Sequence, residues 1–204
     1  MRFSLLISVF FLSLYGTNIH SQQQPQSSLS ADQVRLEIRA SQIDSILNLM
    51  TLKEKVSMCH AQSQFSSPGI PRLGIPELWM SDGPHGIRAE INWSNWGYSG
   101  WTNDYITAFP ALTCLSATFN PSLSKQYGVS IGEEARYRKK DILLGPGVNI
   151  YRTPLNGRNF EYMGEDPYLA SKMVVPYIKG VQMNGVAACV KHFALNNQEL
   201  WRNH

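Results

Sequence analysis

Three clusters of polar side chains hold most of the chemistry available to this 204-residue chain. Asp82 and Arg88 lie in the run Ser81-Asp82-Gly83-Pro84-His85-Gly86-Ile87-Arg88, Arg158 stands with Glu161, Glu165 and Asp166, and Lys191 adjoins His192. A carboxylate can accept from two adjacent hydroxyls, guanidinium and ammonium groups donate, and an imidazole does either. That set suits a polyhydroxylated ring, whose rim needs donors and acceptors and whose face needs an aromatic side chain. Tryptophans and tyrosines between positions 93 and 105 are the expected wall. Each cluster also has a purely structural reading. Asp82 could cap the turn before Gly83-Pro84, Arg158 could brace its loop through Glu161 or Asp166, and Lys191-His192 could close a strand end. The adjacent carboxylates Glu165 and Asp166 invite an acid/base role. Neighbouring side chains point in different directions, however, and Pro167 follows them, so neither is assigned a catalytic role.

What sets the three clusters apart is where they fall. Ile75 to Met80 is a short apolar run ending at Ser81-Asp82. Asp141 to Gly145 is another, followed by Pro146-Gly147-Val148-Asn149 and the polar loop 151–167. Gly185 to Val190 is a third, a buried strand ending at Lys191-His192. Between them the sequence predicts helices. One opens at Asn120-Pro121 and runs through Tyr137, with proline in its first turn, and another spans Tyr168 to Met183 around Pro176. Phe109 to Leu112 is expected to begin a further strand. Upstream, apolar residues recur at helical intervals over 33–62, and Thr51-Leu52-Lys53-Glu54 has the form of a capping box. Short strands alternating with helices predict an α/β protein with a parallel sheet, and polar residues just after the strands follow barrel logic. No GxGxxG or Walker pattern follows any strand, which weighs against a nucleotide fold.

The composition, 43% hydrophobic and 16% charged, is that of a globular chain. A formal charge of +3 implies no polyanionic partner. The basic run 136–140 reads as a solvated helix face beside Glu133 and Glu134, so no nucleic-acid partner is expected. Residues 1–21 have the make-up of an export signal: Arg2, then the apolar stretch Leu5 to Leu14, too short to span a bilayer. Periplasmic or extracellular location follows as the expectation, with 22–32 as a polar leader. Cys59, Cys114 and Cys189 have no CxxC spacing and an odd count, and read as buried free thiols. No metal constellation is evident.

Five segments in order carry a resemblance. They are SDGPHGIR (81–88), FPALTCLSATFNP (109–121), IGEEAR (131–136), LLGPGVNIYRTPLNGRNFEYMGEDPYL (143–169) and CVKHFALNNQE (189–199). Over about residues 45–203 the chain resembles the N-terminal (β/α)8 barrel of glycoside hydrolase family 3, on its β-glucosidase and β-xylosidase branch. The resemblance implies roughly the first half of that barrel, lying within 33–204. It implies a retaining hydrolase that releases a terminal non-reducing β-D-glucose or xylose from an oligosaccharide or an aryl or alkyl β-glycoside. It implies that Asp82, Arg88, Arg158, Lys191 and His192 bind the sugar of the first subsite, with no cofactor and no metal. The N-acetylglucosaminidase branch carries Pro-Gly after Lys-His-Phe, whereas Ala194-Leu195 stands here, so that branch is disfavoured.

The family's nucleophile is an aspartate on a later strand, usually within Ser-Asp-Trp, and its acid/base glutamate comes from the following domain. The only Ser-Asp here is Ser81-Asp82, so no catalytic residue is assigned within the chain. A complete barrel takes about 250 residues, and the expectation is a fragment of a longer product that is inactive by itself. Two rivals remain open. One is a non-catalytic carbohydrate-binding or inactive fragment. The other is a phosphate-binding barrel enzyme using Lys191 as a Schiff base, which lacks the glycine-rich phosphate loop it needs.

Overall fold

The computed structural model describes residues 31–100 and 105–202. The expected export signal and most of the leader lie outside them, and the leader's last two positions already belong to the first helix. The chain falls into two compact units, up to Asp44 and from Ser45 onward. Helix α1 (Ala31–Leu49) runs across that division. Its apolar residues are not gathered on one face, and Leu36, Ile38 and Ile43 are exposed, so the helical spacing does not mark a core stripe. The helical reading of 33–62 holds as two helices, the second starting at the capping box and ending at Ser57, not at 62. Thr51 caps the short helix α2 (Leu52–Ser57), with Thr51 Oγ1 accepting from the Glu54 N–H and the Glu54 carboxylate accepting from the Thr51 N–H. Arg72 then binds Glu54, and this pairing holds the carboxyl at about 2.

Among the described residues the sheet has four short strands in spatial order β1 (Ser66–Ser67), β2 (Leu78–Asp82), β3 (Ile142–Leu144) and β4 (Ala187–Ala188). β1 pairs antiparallel with β2, and β2, β3 and β4 are parallel. Asp82 lies opposite Leu144, and a further parallel bridge joins Gly147 to Lys191. The C-terminal ends of three strands therefore arrive on one rim. Consecutive parallel neighbours joined through helices form an arc of an α/β barrel.

Between β2 and β3 come α3 (Leu112–Ser116) and α4 (Pro121–Tyr137), and between β3 and β4 comes α5 (Pro167–Gln182). Asn120 caps α4 by accepting from the Ser122 and Leu123 N–H groups, and Asp166 caps α5 by accepting from Tyr168. Phe109 to Leu112 is not a strand. Pro110 has no N–H for a ladder, and Leu112 and Leu115 serve better as the buried side of α3. The core joins Ile87, Leu112, Leu115, Ile131, Leu143, Met173, Tyr177, Val181 and Val186. Each large aliphatic side chain buried in this way contributes about 1.5–3 kcal/mol. α4 and α5 approach closely at Gly128, where a Cβ would overlap the Tyr177 carbonyl.

Two surface expectations change. All three cysteines are exposed free thiols. Cys189 follows β4, at the end of the described sheet, where Ala187 is exposed as well and only Val186 is fully covered. The basic run is not a uniformly solvated face. Lys140 is 6% exposed, its ammonium 2.6 Å from Glu90 with Arg138 alongside at 3.7 Å. Arg136 and Lys139 do remain outside.

The Tyr177 hydroxyl, fully buried, donates to the Pro84 carbonyl at 2.6 Å, and so ties α5 to the turn that follows Asp82. Burial pushes this phenol well above its usual pKa, so it stays a donor. Replacing Tyr177 by Phe leaves that carbonyl unpaired and is expected to lower the unfolding free energy by about 1–3 kcal/mol. Urea denaturation checks this, and an unchanged midpoint would contradict the anchoring role.

Candidate active-site floor

Asp82 is the last residue of β2, so the strand itself aims its carboxylate at the rim. Gly83 follows with φ 123°, a left-handed value suited to glycine, and turns the chain so that its N–H donates to Asp82 Oδ1 at 2.9 Å. Lys191, beyond β4, donates to the same oxygen at 2.7 Å. Burial pushes the Asp82 carboxyl up, but Lys191, the Gly83 N–H and the charge of Arg88 outweigh it, and the pKa falls below the ordinary value. Asp82 is therefore a carboxylate at neutral pH, and Oδ2 has no protein hydrogen bond among the described residues.

His192 occupies the next position, and its main chain is clamped by Asn149 from the loop after β3. The His192 N–H donates to Asn149 Oδ1 at 2.9 Å, and Asn149 Nδ2 donates to the His192 carbonyl at 3.1 Å. Arg158 grips Glu161 through Nε and Nη2 at 2.8 and 2.6 Å, and its Nη2 also reaches His192 Nε2 at 3.0 Å. A guanidinium only donates, so Nε2 accepts, and the imidazole proton sits on Nδ1, 2.8 Å from the Tyr162 hydroxyl. Asn196 donates to that hydroxyl at 2.6 Å. Glu199 approaches Arg158 at 3.7 Å.

Arg88 completes the set. Its N–H donates to Ser81 Oγ at 3.0 Å and to the Asp82 carbonyl at 3.1 Å, which fixes its backbone beside the strand end. Its guanidinium lies over the rings of Phe65 and Trp96 and acts electrostatically on Asp82.

The structure thus brings together Asp82, Arg88, Arg158, Lys191 and His192. Glu165 and Asp166 are elsewhere: Glu165 is exposed and Asp166 caps α5. Of the expected aromatic wall, Trp96 lies against Arg88, Trp93 packs on Trp79 beside the Glu90–Lys140 pair, Tyr98 and Tyr105 face outward, and Trp101 lies outside the described residues. The sequence reading missed Asn149, Tyr162 and His85. His85 packs edge-on to Phe160, its ring centroid 5.5 Å away, within electrostatic reach of Glu161, Lys191 and Asp82. Asn149 was marked only by its place in the turn after β3, five residues beyond the strand's last residue.

An arc of parallel strands with charged and amide groups at its C-terminal rim is the arrangement on which α/β barrels build their active sites. The chain belongs to glycosyl hydrolase family 3: the model of the family's N-terminal domain matches residues 19–200. The chain is 66% identical over 203 residues to the beta-glucosidase BoGH3A of Bacteroides ovatus, covering 98% of this chain and 27% of that protein. It is 45% identical over 165 residues to the thermostable beta-glucosidase B of Acetivibrio thermocellus, covering 78% of this chain and 21% of that protein. Beta-glucosidase 3B from Thermotoga neapolitana, solved in complex with glucose, superposes with a TM-score of 0.68 at 39% identity, over 77% of this chain and 24% of that one. The chain spans about a quarter of the length of these relatives. Among the described residues, no helix is long and apolar enough to cross a membrane.

Burial lowers the His192 pKa below 6.5, helped by the charges of Arg158 and Lys191, while Glu161 and Asp82 pull weakly the other way. The neutral ring's contribution to stability is complete above the unfolded value of about 6.5 and fades as pH falls from there toward the folded value. An NMR titration is expected to give His192 a pKa below 6.5 with its proton on Nδ1, and Glu161→Gln is expected to lower that value further. A value at or above 6.5 would contradict this geometry.

Proposed function

We propose that this chain forms the sugar-binding floor of an exported retaining β-glycosidase acting on terminal, non-reducing β-D-glucose or β-D-xylose. The observation that carries the reading is the Asp82 carboxylate. One oxygen is tied to Lys191 and Gly83, and the other is left to accept from a hydroxyl. Around it stand donors of fixed direction from Arg88 and Arg158, and the Lys191 ammonium, with three N–H groups, can donate to a neighbouring hydroxyl as well as to Asp82. The high identity to enzymes named beta-glucosidases supports the substrate class. The apolar run 5–14 supports export.

The chemistry is a two-step displacement. A carboxylate attacks the anomeric carbon, a carboxylic acid protonates the leaving oxygen, and water then releases the sugar, the two carboxyls standing about 5 Å apart. The family's Ser-Asp-Trp motif for the attacking aspartate does not occur in the 204 residues, and neither carboxyl of that pair is assigned within them. The floor residues contribute by holding the ring in register with the attacking group and by strengthening their hydrogen bonds as charge builds up in the transition state.

In the gene product that carries this chain, Asp82→Ala is expected to lower kcat/KM on an aryl β-glucoside by about a hundredfold or more, the scale of two lost charge-assisted hydrogen bonds. Unchanged hydrolysis by a folded variant would remove Asp82 from the subsite and overturn the reading.

A further inference from the structure

The two arginines of the floor are held in different ways. Arg158 is gripped by the Glu161 carboxylate through two of its nitrogens, with Glu199 near a third. Arg88 has no carboxylate or carbonyl in hydrogen-bond reach of its guanidinium among the described residues, and its Nε is buried without a partner. What holds it is a pair of rings. Its guanidinium carbon lies 5.4 Å from the centroid of Trp96 and 5.8 Å from that of Phe65. The rings are themselves edge to face at 5.7 Å and 85°.

Both rings have fixed supports. The Phe65 carbonyl accepts from the Met80 N–H at 2.8 Å, which attaches it to β2 two residues before Asp82. Trp96 sits in a small loop closed by its own amides. The Asn92 N–H donates to the Gly97 carbonyl at 2.8 Å, Asn95 Oδ1 accepts from the Gly97 N–H at 2.8 Å and from Asn92 Nδ2 at 3.1 Å, and the Ser99 N–H donates to the Glu90 carbonyl at 2.9 Å. Two asparagines and a glycine are thus spent on presenting one exposed tryptophan to one guanidinium.

We propose that Phe65 and Trp96 are positioning residues that hold Arg88 by cation–π attraction, so that its N–H groups stay free to donate to a sugar hydroxyl. A carboxylate would fix the guanidinium equally well but would occupy the same N–H edge that the ligand needs. The face of an aromatic ring fixes the cation through its quadrupole and leaves the in-plane donors untouched. This proposal rests on the reading of Arg88 as a subsite residue, and it adds which neighbours hold it there and by what force.

The test is a set of variants of the gene product that carries this chain: Trp96→Phe, Trp96→Leu and Arg88→Ala, together with the double variant Trp96→Leu/Arg88→Ala. KM, kcat and the thermal midpoint are measured for each on an aryl β-glucoside. Trp96→Leu keeps an apolar side chain but has no quadrupole, and is expected to lower kcat/KM by about three- to thirtyfold. Trp96→Phe should recover most of that loss at a similar thermal midpoint. In the Arg88→Ala background the leucine substitution should cost nothing further.

Equal activities for the Phe and Leu variants, or a full additional loss in the Arg88→Ala background, would overturn the clamp. Asp82→Ala separates the two failures. If it abolishes turnover while the Trp96 series is flat, the subsite stands and only the clamp falls. If Asp82→Ala is also silent, the subsite reading itself is wrong.

Discussion

The site depends on one ion pair between residues 109 positions apart, Lys191 on Asp82. It joins the ends of β2 and β4 across β3, so it forms only if all three strands are in register and end on the same rim. A pair of this kind is weak evidence for stability, since removing two charges from water offsets much of their attraction. Its effect is on charge state and direction. Lys191 keeps Asp82 ionised despite burial, and together with the Gly83 N–H it turns one carboxylate oxygen inward.

The second half of the floor follows from a different constraint, the need to keep His192 neutral between two cations. Arg158 on Nε2 and the Tyr162 hydroxyl on Nδ1 select one tautomer, and Asn149 clamps the backbone. Burial raises the Tyr162 phenol as well, with only partial relief from Asn196 and Arg158, so it remains protonated. Three cations, Lys191, Arg158 and Arg88, meet three carboxylates, Asp82, Glu161 and Glu199. On the proposed reading, that balance lets a neutral sugar displace water from the rim without leaving a net charge stranded. The arginines divide the work: one is braced by a carboxylate, the other is left with its donors open.

Much of this was legible in the sequence because the functional residues follow short apolar runs: β3 and β4 lie within the runs read as strands, and β2 begins within its run and extends two residues past it to Asp82. The capping box at Thr51 and the helix start at Asn120-Pro121 were legible too, since they act through local spacing, whereas Asp166 was read as a possible brace for Arg158 and proves to cap α5. What failed had long-range causes. Phe109 to Leu112 looks like a strand until the need of Leu112 and Leu115 for a buried helix face is known. Lys140 looks solvated until Glu90, fifty positions earlier, is found beneath it. Asn149 and Tyr162 meet His192 over separations of 43 and 30 residues, which no local pattern announces. Trp96 could be named only as one of several aromatics, because its partner Arg88 is chosen by the fold of a loop and not by spacing.

The most direct test of the sugar-binding floor is a crystal structure of the gene product that carries this chain, with glucose bound. The account predicts a ring with adjacent hydroxyls on Asp82 Oδ2, further hydroxyls within hydrogen-bond distance of Lys191, Arg88 and Arg158, and the Asp82–Lys191 contact preserved. Glucose bound away from the ends of β2 and β4, with Asp82 facing only protein atoms, would contradict it.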